Sequence, residues 1–254
     1  MRDFYASTSS TPLDQAQGLR RMFAAHRRHV LALVANPHVA FGGVVLDRLA
    51  RMLAASGREV LVADAGSGAP APHELARLDL AAGIERVAPR VSYLPARGLP
   101  LAFVDTRGSA EGFVDALRDA APEADVLIVH ADAGELSRVM ARRALRPLLL
   151  GADHPESIKH AYGAAKLLAR RNSLATFDLL LVAAAHSPRA ASIAASLAAC
   201  LDDFLEALLC GWAHLDPAGD PGVDDPALER LLAGQLALGP IALRDAPAAV
   251  AAWC

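Results

Sequence analysis

Residues 29–63 read HVLALVANPHVAFGGVVLDRLARMLAASGREVLVA, and this stretch contains two apolar runs separated by an amphipathic segment. Residues 29–35 and 59–63 are short, almost continuous apolar runs, which are typical of strands buried on both faces. Residues 44–56 instead repeat apolar side chains at helical spacing and predict an amphipathic helix. A strand, a helix and a second strand in this order indicate a parallel pair joined by a crossover helix.

The same alternation of apolar runs and helical stretches continues along the chain. Further strands are predicted at residues 91–94, 101–104, 125–130, 147–151 and 177–183, and further helices at residues 110–119, 136–144, 155–171, 187–209 and 226–236. Short apolar strands separated by helices predict an α/β fold: a doubly wound, mostly parallel sheet with helices on both faces.

Composition shifts divide the chain into three predicted parts. Residues 1–28 are a polar tail followed by a short helix, residues 29–212 form the α/β domain, and residues 213–254 form an extension rich in Pro, Gly and Asp with one further helix. The short N-terminal helix is predicted from four apolar residues at helical spacing: Leu13, Ala16, Leu19 and Phe23. An isolated helix of this length is only marginally stable in water, so its apolar stripe is expected to pack on a partner surface.

The composition excludes several classes of protein. The 254 residues are 54% hydrophobic and 21% charged, which argues against intrinsic disorder, and the net charge of -3 argues against a general electrostatic nucleic-acid binder. The most apolar run, residues 193–212, is interrupted by Asp202 and Asp203, whereas a membrane span needs about 20 predominantly apolar residues. The first residues lack the apolar core of a secretory signal, so we expect a cytoplasmic protein.

Cysteine and lysine are scarce, which narrows the possible chemistry. Cys200, Cys210 and Cys254 lack the close spacing of zinc sites and redox pairs, so we expect isolated thiols and no metal site. The lysines of the chain are Lys159 and Lys166. The first 158 residues therefore contain no lysine that could bind a phosphate.

The loop between the first strand and the first helix is where such a fold binds phosphates, because backbone N–H groups and the helix N-terminus face an anion there. Residues 35–43 read ANPHVAFGG at this place. A working phosphate loop needs small residues that wrap the phosphates, a lysine for the outer phosphates and a Ser or Thr hydroxyl for magnesium. The loop meets none of these three requirements.

From residue 13 to about residue 209 the chain resembles the MinD-type flagellar regulators, the FlhG/FleN family of deviant-Walker ATPases. The register is ungapped from the first strand to the second. In that register Pro37 replaces the family's signature lysine, Gly42 its phosphate-loop lysine and Gly43 its magnesium-binding threonine. The resemblance implies a MinD-type P-loop NTPase fold with a degenerate phosphate loop.

The resemblance extends to the strands that carry the family's metal-linked aspartates. Asp64 matches the first aspartate after the second strand, whereas Gly66 replaces the second. His130 stands where the metal-linked aspartate of the family belongs, and Asp132 where the family has a glycine. Residues 155–168, with Pro-Glu-Ser-Ile, Ala-Tyr and Lys-Leu-Leu, resemble a further block of the family. The resemblance thus extends over the fold, whereas the family's phosphate-binding and metal-binding residues are mostly replaced.

These replacements predict that the chain does not hydrolyse ATP. One ammonium about 4 Å from a phosphate contributes on the order of 4 kcal/mol near a protein surface, or roughly a thousandfold in affinity. We therefore expect no cofactor, although weak binding of ATP or ADP stays open because Asp64 and the backbone of Gly42 and Gly43 are retained. ATP-driven dimerisation would need the signature lysine, so we expect a monomer or a nucleotide-independent dimer.

Residues 14–20, DQAQGLR, match the Asp-Gln-Ala-x-x-Leu-Arg activator motif that the flagellar family carries ahead of its ATPase fold. The resemblance implies that this helix docks onto FlhF, a GTPase of the signal-recognition type, and that Gln15 reaches the nucleotide site. It assigns partner activation to Asp14, Gln15, Leu19 and Arg20, and the apolar anchor to Leu13, Ala16 and Phe23. A helix that packs on its own domain, with Gln15 in solvent, is the alternative.

Three functions are compatible with these observations. The leading one is a non-hydrolysing regulator of flagellar assembly that activates FlhF. The others are an ATPase with rebuilt phosphate contacts, and a nucleotide-independent scaffold that binds a flagellar switch protein or a flagellar transcription regulator. Neither nucleic-acid binding nor direct membrane insertion is expected, so recruitment to the cell pole or the membrane would occur through the partner.

Two polar groups have alternative interpretations. His130 is either a catalytic base beside Asp132 or a hydrogen-bonded residue left from the lost site. A basic cluster is expected to form a solvated helix face, with contact to an acidic lipid or a partner as the alternative; its members are Arg138, Arg142, Arg143 and Arg146.

Overall fold

A computed structural model describes residues 29–141, 143, 145–220 and 225–238. Its strands are β1 (His29–Val34), β2 (Val60–Asp64), β3 (Glu85–Ala88), β4 (Val91–Pro95), β5 (Val126–Ala131), β6 (Leu148–Ala152), β7 (Thr176–Val182) and β8 (Leu208–Leu215). They form one sheet in the order β3-β4-β2-β5-β1-β6-β7-β8. Every neighbouring pair is parallel except β3 and β4.

Helices cover both faces of this sheet. The α-helices of the described residues are α1 (Gly42–Ala55), α2 (Gly112–Ala120), α3 (Ala133–Val139), α4 (Pro155–Asn172), α5 (Ala190–Leu205) and α6 (Pro226–Ala237). Helices α1 and α6 pack on one face, and α2 to α5 pack on the other. The predicted fold class, a doubly wound and mostly parallel α/β sheet, is therefore confirmed.

The first strand shows why the apolar runs of the sequence are continuous. Leu31 and Leu33 pack in the core that contains α1, whereas Ala32 and Val34 pack in the core on the opposite face. Successive side chains of a strand point to opposite faces, so a central strand covered on both sides needs apolar residues at every position. The carboxyl ends of β1, β2 and β5 consequently meet at one edge, next to the N-terminus of α1.

Three predicted elements differ in the structure. The helix predicted at residues 136–144 instead spans Ala133–Val139. Residues 101–104 are not a strand, because Leu99–Phe103 form a short 3-10 helix that begins after Gly98, whose φ is 78°, and contains a proline in its first turn. The predicted helix at 187–209 ends earlier, at Leu205, because Glu206 takes a left-handed conformation with φ 52°. Leu208–Leu215 then form β8, which the apolar sequence did not distinguish from the end of the helix.

The sheet continues across the boundary that the sequence predicts between residues 212 and 213. Strand β8 spans this point and pairs with β7 along its length. Helix α6 packs on the same face as α1 through Leu228, Leu231 and Leu232, which are buried. The part of residues 213–254 that the structure describes is therefore packed on the α/β domain.

A buried polar network joins β7 to α6. Asp178 on β7 is 1% exposed, and its Oδ2 lies 2.8 Å from Nε of Arg146 and accepts a hydrogen bond of 2.6 Å from Gln235 on α6. Burial raises the pKa of Asp178, and the charge of Arg146 only partly opposes this rise. Arg143 is also buried and lies 2.9 Å from Asp115. The expectation of a solvated basic face is thus wrong for Arg143 and Arg146.

Two further observations concern the described part of the chain only. No helix in it is long and apolar enough to cross a bilayer. Cys200 and Cys210, the cysteines it contains, are both free thiols.

Candidate functional site

A cleft of about 640 Å³ opens at the carboxyl ends of β1, β2 and β5. The residues that the sequence predicts at a degenerate nucleotide site all line it: Pro37, Gly42, Gly43, Asp64, His130 and Asp132. Parallel topology explains this convergence, because β5 lies between β1 and β2 and their carboxyl ends share one edge. The six residues therefore form one site although they are distributed over almost 100 positions of the chain.

An aspartate-histidine pair lies at the base of the cleft. Asp64 and His130 occupy matched positions on the neighbouring strands β2 and β5, and Nδ1 of His130 lies 2.7 Å from Oδ1 of Asp64. The same oxygen accepts the N–H of Gly66 at 3.0 Å, and the other carboxylate oxygen accepts the hydroxyl of Tyr93 at 3.1 Å. Both oxygens of Asp64 are therefore already engaged in hydrogen bonds.

These contacts set the charge of the pair. Burial alone would raise the pKa of Asp64, but the hydrogen bond and charge of His130, with the N–H of Gly66 and the hydroxyl of Tyr93, outweigh it and hold this pKa below its ordinary value. Burial and the neighbouring carboxylate raise the pKa of the Tyr93 hydroxyl. Asp64 is consequently ionised at neutral pH, and Tyr93 is a neutral hydrogen-bond donor to it.

Gly66 and His130 are sterically linked. A Cβ atom at Gly66 would lie 2.8 Å from Cε1 of His130, 3.0 Å from its Nδ1 and 3.1 Å from Oδ1 of Asp64. The imidazole thus occupies the space that any side chain at position 66 would need. Gly66 and His130 are therefore parts of one packing arrangement.

The loop between β1 and α1 is held by a buried amide. Nδ2 of Asn36 donates to the carbonyl oxygens of Leu150 and Ser157 at 2.8 and 2.9 Å and lies 3.0 Å from Oγ of Ser157. Its Oδ1 accepts the N–H of His38 at 3.1 Å, and Ser157 Oγ accepts the N–H of Ala152 at 2.8 Å. Asn36 therefore ties the loop to β6 and α4 from within the core.

The N-terminus of α1 faces the cleft without a capping side chain. Phe41 precedes the helix in a left-handed conformation with φ 60°, and its side chain is 68% exposed. A Cβ atom at Gly42 or Gly43 would contact nothing within 4 Å. The N–H groups of a first helical turn have no partner within the helix, so this end of α1 carries a partial positive charge.

Three imidazoles lie near one another, and one of them, that of His160, lines the cleft. The ring of His38 lies 6.3 Å from that of His154 and 6.0 Å from that of His160. Burial and the neighbouring His38 lower the pKa of His160. Nδ1 of His154 accepts the N–H of Glu156 at 3.2 Å at the start of α4. Among the described residues, no group of three or more His, Cys, Asp or Glu side chains is arranged to hold a metal ion.

The cleft is poor in positive charge. None of the described residues that line it is a lysine or an arginine. The permanent charges at its walls are the carboxylates of Asp64 and Asp132, and Oδ1 of Asp132 accepts the N–H of Glu135 at the start of α3. His130 therefore pairs with Asp64 and not with Asp132, which was the alternative for a catalytic base.

Solved structures with this arrangement of sheet and helices exist. MinD cell division protein from Aquifex aeolicus is 15% identical, with a TM-score of 0.53 over 81% of this chain and 97% of that chain. A plasmid partition protein from Borrelia burgdorferi is 10% identical, with a TM-score of 0.55 over 83% and 100%. Cobyrinic acid a,c-diamide synthase from Mycobacterium smegmatis, solved with a bound ATP analogue and magnesium, is 17% identical, with a TM-score of 0.53 over 80% and 92%.

The chain has the MinD/ParA-type P-loop NTPase fold. At these identities the similarity shows the fold alone. No family model matches the sequence. No curated protein matches it either. Activity and partners must therefore be argued from the cleft and from the sequence.

Sequence reasoning placed part of the site and missed part of it. The residues of the predicted activator helix lie outside the described residues: Leu13, Asp14, Gln15, Ala16, Leu19, Arg20 and Phe23. Tyr93 and Ser157 were missed, because their partners Asp64 and Asn36 are 29 and 121 residues away. Only the strand order brings β4 beside β2. A polar residue at the carboxyl end of a predicted strand was the available signal for Tyr93.

Proposed function

We propose that this protein is a MinD-like regulator of flagellar assembly that does not hydrolyse ATP and that activates an FlhF-type GTPase through residues 13–23. The observation that carries the first half of this proposal is the cleft without a lysine or arginine among its described lining residues. A nucleoside triphosphate bound there would meet the ionised Asp64 and, among the lining residues that the structure describes, neither a lysine nor an arginine. The second half is supported by the DQAQGLR motif at residues 14–20.

The hydrogen bonding of Asp64 also argues against metal-assisted hydrolysis. In the resemblance to the flagellar family this residue matches an aspartate of the nucleotide site. Here its oxygens accept from Gly66 and Tyr93 and lie against His130. A magnesium-bound water would have to share this buried carboxylate with three existing partners, and any partner that it displaced would be left unsatisfied at a cost of about 1–3 kcal/mol. The polar atoms at this place are thus better suited to hold the fold than to hold a metal.

The activating chemistry would be supplied to the partner. A side-chain amide can orient the attacking water in a GTPase, and an arginine can stabilise the charge that develops on the phosphates. Gln15 and Arg20 have these two roles in the proposal, with Asp14 and Leu19 completing the motif. The α/β domain then serves as a rigid carrier whose own cleft takes no part in the reaction.

GTP turnover by the cognate FlhF tests this proposal directly. We expect the full chain to accelerate turnover, Gln15→Ala to abolish the acceleration, and Gln17→Ala to retain it. Gln17 is the matched control because it is the same residue type at a variable position of the same motif. Equal turnover without the protein, with it and with Gln15→Ala would remove the proposal.

A second candidate is an ATPase with rebuilt phosphate contacts. It is favoured by the retained, ionised Asp64 and by a cleft of about 640 Å³ that opens at the N-terminus of α1. Calorimetry with magnesium ATP separates the two functions. Micromolar binding that is lost in Asp64→Asn would favour the enzyme, and the absence of binding heat would favour the regulator.

A further inference from the structure

A groove of about 870 Å³ runs between the C-terminal half of α1 and helix α6. Its apolar walls include Leu53 and Met52 on α1 and Leu232, Ala233 and Leu236 on α6. It lies on the face of the sheet that carries α1 and α6, at the end of the strands opposite to the cleft. The groove is therefore independent of the candidate site.

The groove lies next to His29, the first residue that the structure describes. A small hollow beside it is lined by His29, the first residue of β1, together with Leu53, Leu232 and Leu236, which also line the groove. The segment that precedes His29 consequently enters the domain next to these leucines. Any apolar stripe in that segment is therefore covalently tethered beside the groove, through His29.

The predicted stripe of residues 13–23 lies within reach of the groove. Five residues, 24–28, separate Phe23 from His29. An extended chain covers at most about 3.3–3.6 Å per residue, so six peptide units allow Phe23 to lie anywhere within roughly 20 Å of His29. The stripe can thus meet the groove without crossing the molecule.

The charges at the rim of the groove match those of the segment. Glu229 lines the groove on α6, and Arg58 lines it at the end of α1. Residues 13–23 carry Asp14 near one end and the Arg20-Arg21 pair near the other. Two other arginines of the rim have partners within the domain: Arg51 lies 2.7 Å from Asp47, and Arg48 donates to the carbonyl oxygens of residues 216 and 219. Pairing of Asp14 with Arg58 and of Arg20 with Glu229 would give the segment one direction along the groove.

We infer that the groove between α1 and α6 binds residues 13–23 of the same chain. Since a short tether gives an effective concentration on the order of 1 mM, a helix with an intrinsic Kd of about 0.1 mM would be docked about 90% of the time. A partner would then have to compete for the helix, which weakens its apparent affinity by about tenfold. This regulatory consequence rests on the proposed function, whereas the docking itself does not.

Short-range crosslinking tests the docking. In a background of Cys200→Ser, Cys210→Ser and Cys254→Ser, the pair Met22→Cys with Ala233→Cys is treated with a short bismaleimide at low protein concentration. The control replaces Ala233→Cys by Ala195→Cys, because both alanines are exposed and Ala195 lies on α5, on the opposite face of the sheet. Peptide mass spectrometry measures the intramolecular product. We expect about tenfold more crosslink for the first pair, and equal yields would overturn the inference.

The same chemistry identifies another occupant. A variant with Ala233→Cys that retains the native Cys254 reports whether residues 239–254 fill the groove. A dominant 233–254 crosslink, with little product from position 22, would overturn the inference. Little product from position 254, with a high yield from position 22, would support it.

A charge placed in the groove separates this inference from the proposed function. Ala55 lines the groove and is exposed, so Ala55→Glu should keep the fold, which thermal unfolding verifies. It should reduce the 22–233 crosslink and lower the concentration needed for half-maximal GTP turnover by FlhF about tenfold, whereas Ala195→Glu should change neither. Crosslinking without any effect on FlhF would remove the proposed function and keep the docking. Stimulation of FlhF without a preferred 22–233 crosslink would remove the docking and keep the proposed function.

Discussion

Replacing Gly66 with alanine should destabilise the domain by crowding the Asp64–His130 pair. The added methyl group would lie 2.8 Å from Cε1 of His130 and 3.1 Å from Oδ1 of Asp64, where ordinary van der Waals contact begins near 3.4 Å. The backbone of Gly66 is not in the left-handed region, so alanine introduces no backbone strain there. The expected loss therefore comes from the contact alone.

The size of the loss in unfolding free energy depends on how far the side chains of His130 and Asp64 can move. The His130 side chain is 11% exposed and that of Asp64 is 10% exposed, so neither can rotate into solvent, and their 2.7 Å contact must lengthen. Overpacking of a buried site costs about 1–3 kcal/mol. In a domain of this size each kcal/mol lowers the melting temperature by about 2–4 °C.

Urea unfolding measures this effect in four variants: Gly66→Ala, Gly68→Ala, His130→Ala and the double variant Gly66→Ala/His130→Ala. Gly68→Ala is the matched control, because it lies in the same loop and a Cβ atom there contacts nothing within 4 Å. His130→Ala in the Gly66→Ala background removes the ring that is struck, so the two substitutions should couple by about 1–2 kcal/mol in a double-mutant cycle. If Gly66→Ala and Gly68→Ala unfold within about 0.5 kcal/mol of each other, the steric link between positions 66 and 130 is refuted.

Three further outcomes are expected from purified variants followed by urea unfolding. Arg146→Met leaves the carboxylate of Asp178 buried without its cation and should lower the free energy of unfolding by about 3 kcal/mol at pH 7. Because burial raises the pKa of Asp178 in the fold, this loss should shrink as the pH falls and the carboxyl takes up a proton. A loss of stability that does not depend on pH would contradict this explanation. The pKa of Asp64 is lowered in the fold, so its contribution is complete above the unfolded pKa of about 3.9 and is lost as the pH falls through the folded value. The difference between wild type and Asp64→Asn should accordingly be largest above about pH 5 and smaller in acid, and a difference that grows in acid would reverse the sign. Phe41→Gly should raise the free energy of unfolding by up to about 1 kcal/mol, because it relieves a left-handed conformation and loses a side chain that is 68% exposed; a loss of stability would show that this side chain packs in the fold.

The fold class could be predicted because its signal is local. Residues 29–35 and 59–63 are almost continuously apolar, and this pattern is typical of strands buried on both faces. The predictions that were wrong concern segments whose local sequence pattern fits more than one secondary structure. Asp202, Asp203 and Glu206 do not separate helix α5 from Leu208–Leu215 in the sequence pattern, because they are spaced as on one face of a helix. The helix ends at Leu205 because Glu206 takes a left-handed backbone, which no sequence pattern announces. The edge strand Glu85–Ala88 is short, and its residues are mostly exposed and carry charge, so it lacks an apolar run.

The absence of a cation and of a hydroxyl at Pro37, Gly42 and Gly43 can be read from the amino-acid sequence, whatever surrounds these residues. The polar contacts of the cleft required the fold, because the carboxylate of Asp64 reaches His130 and Tyr93 across neighbouring strands. Residue type is a local property that the chain carries into any fold. Hydrogen bonding and steric exclusion depend on distances of a few ångströms between residues far apart in sequence, and strand order fixes those distances.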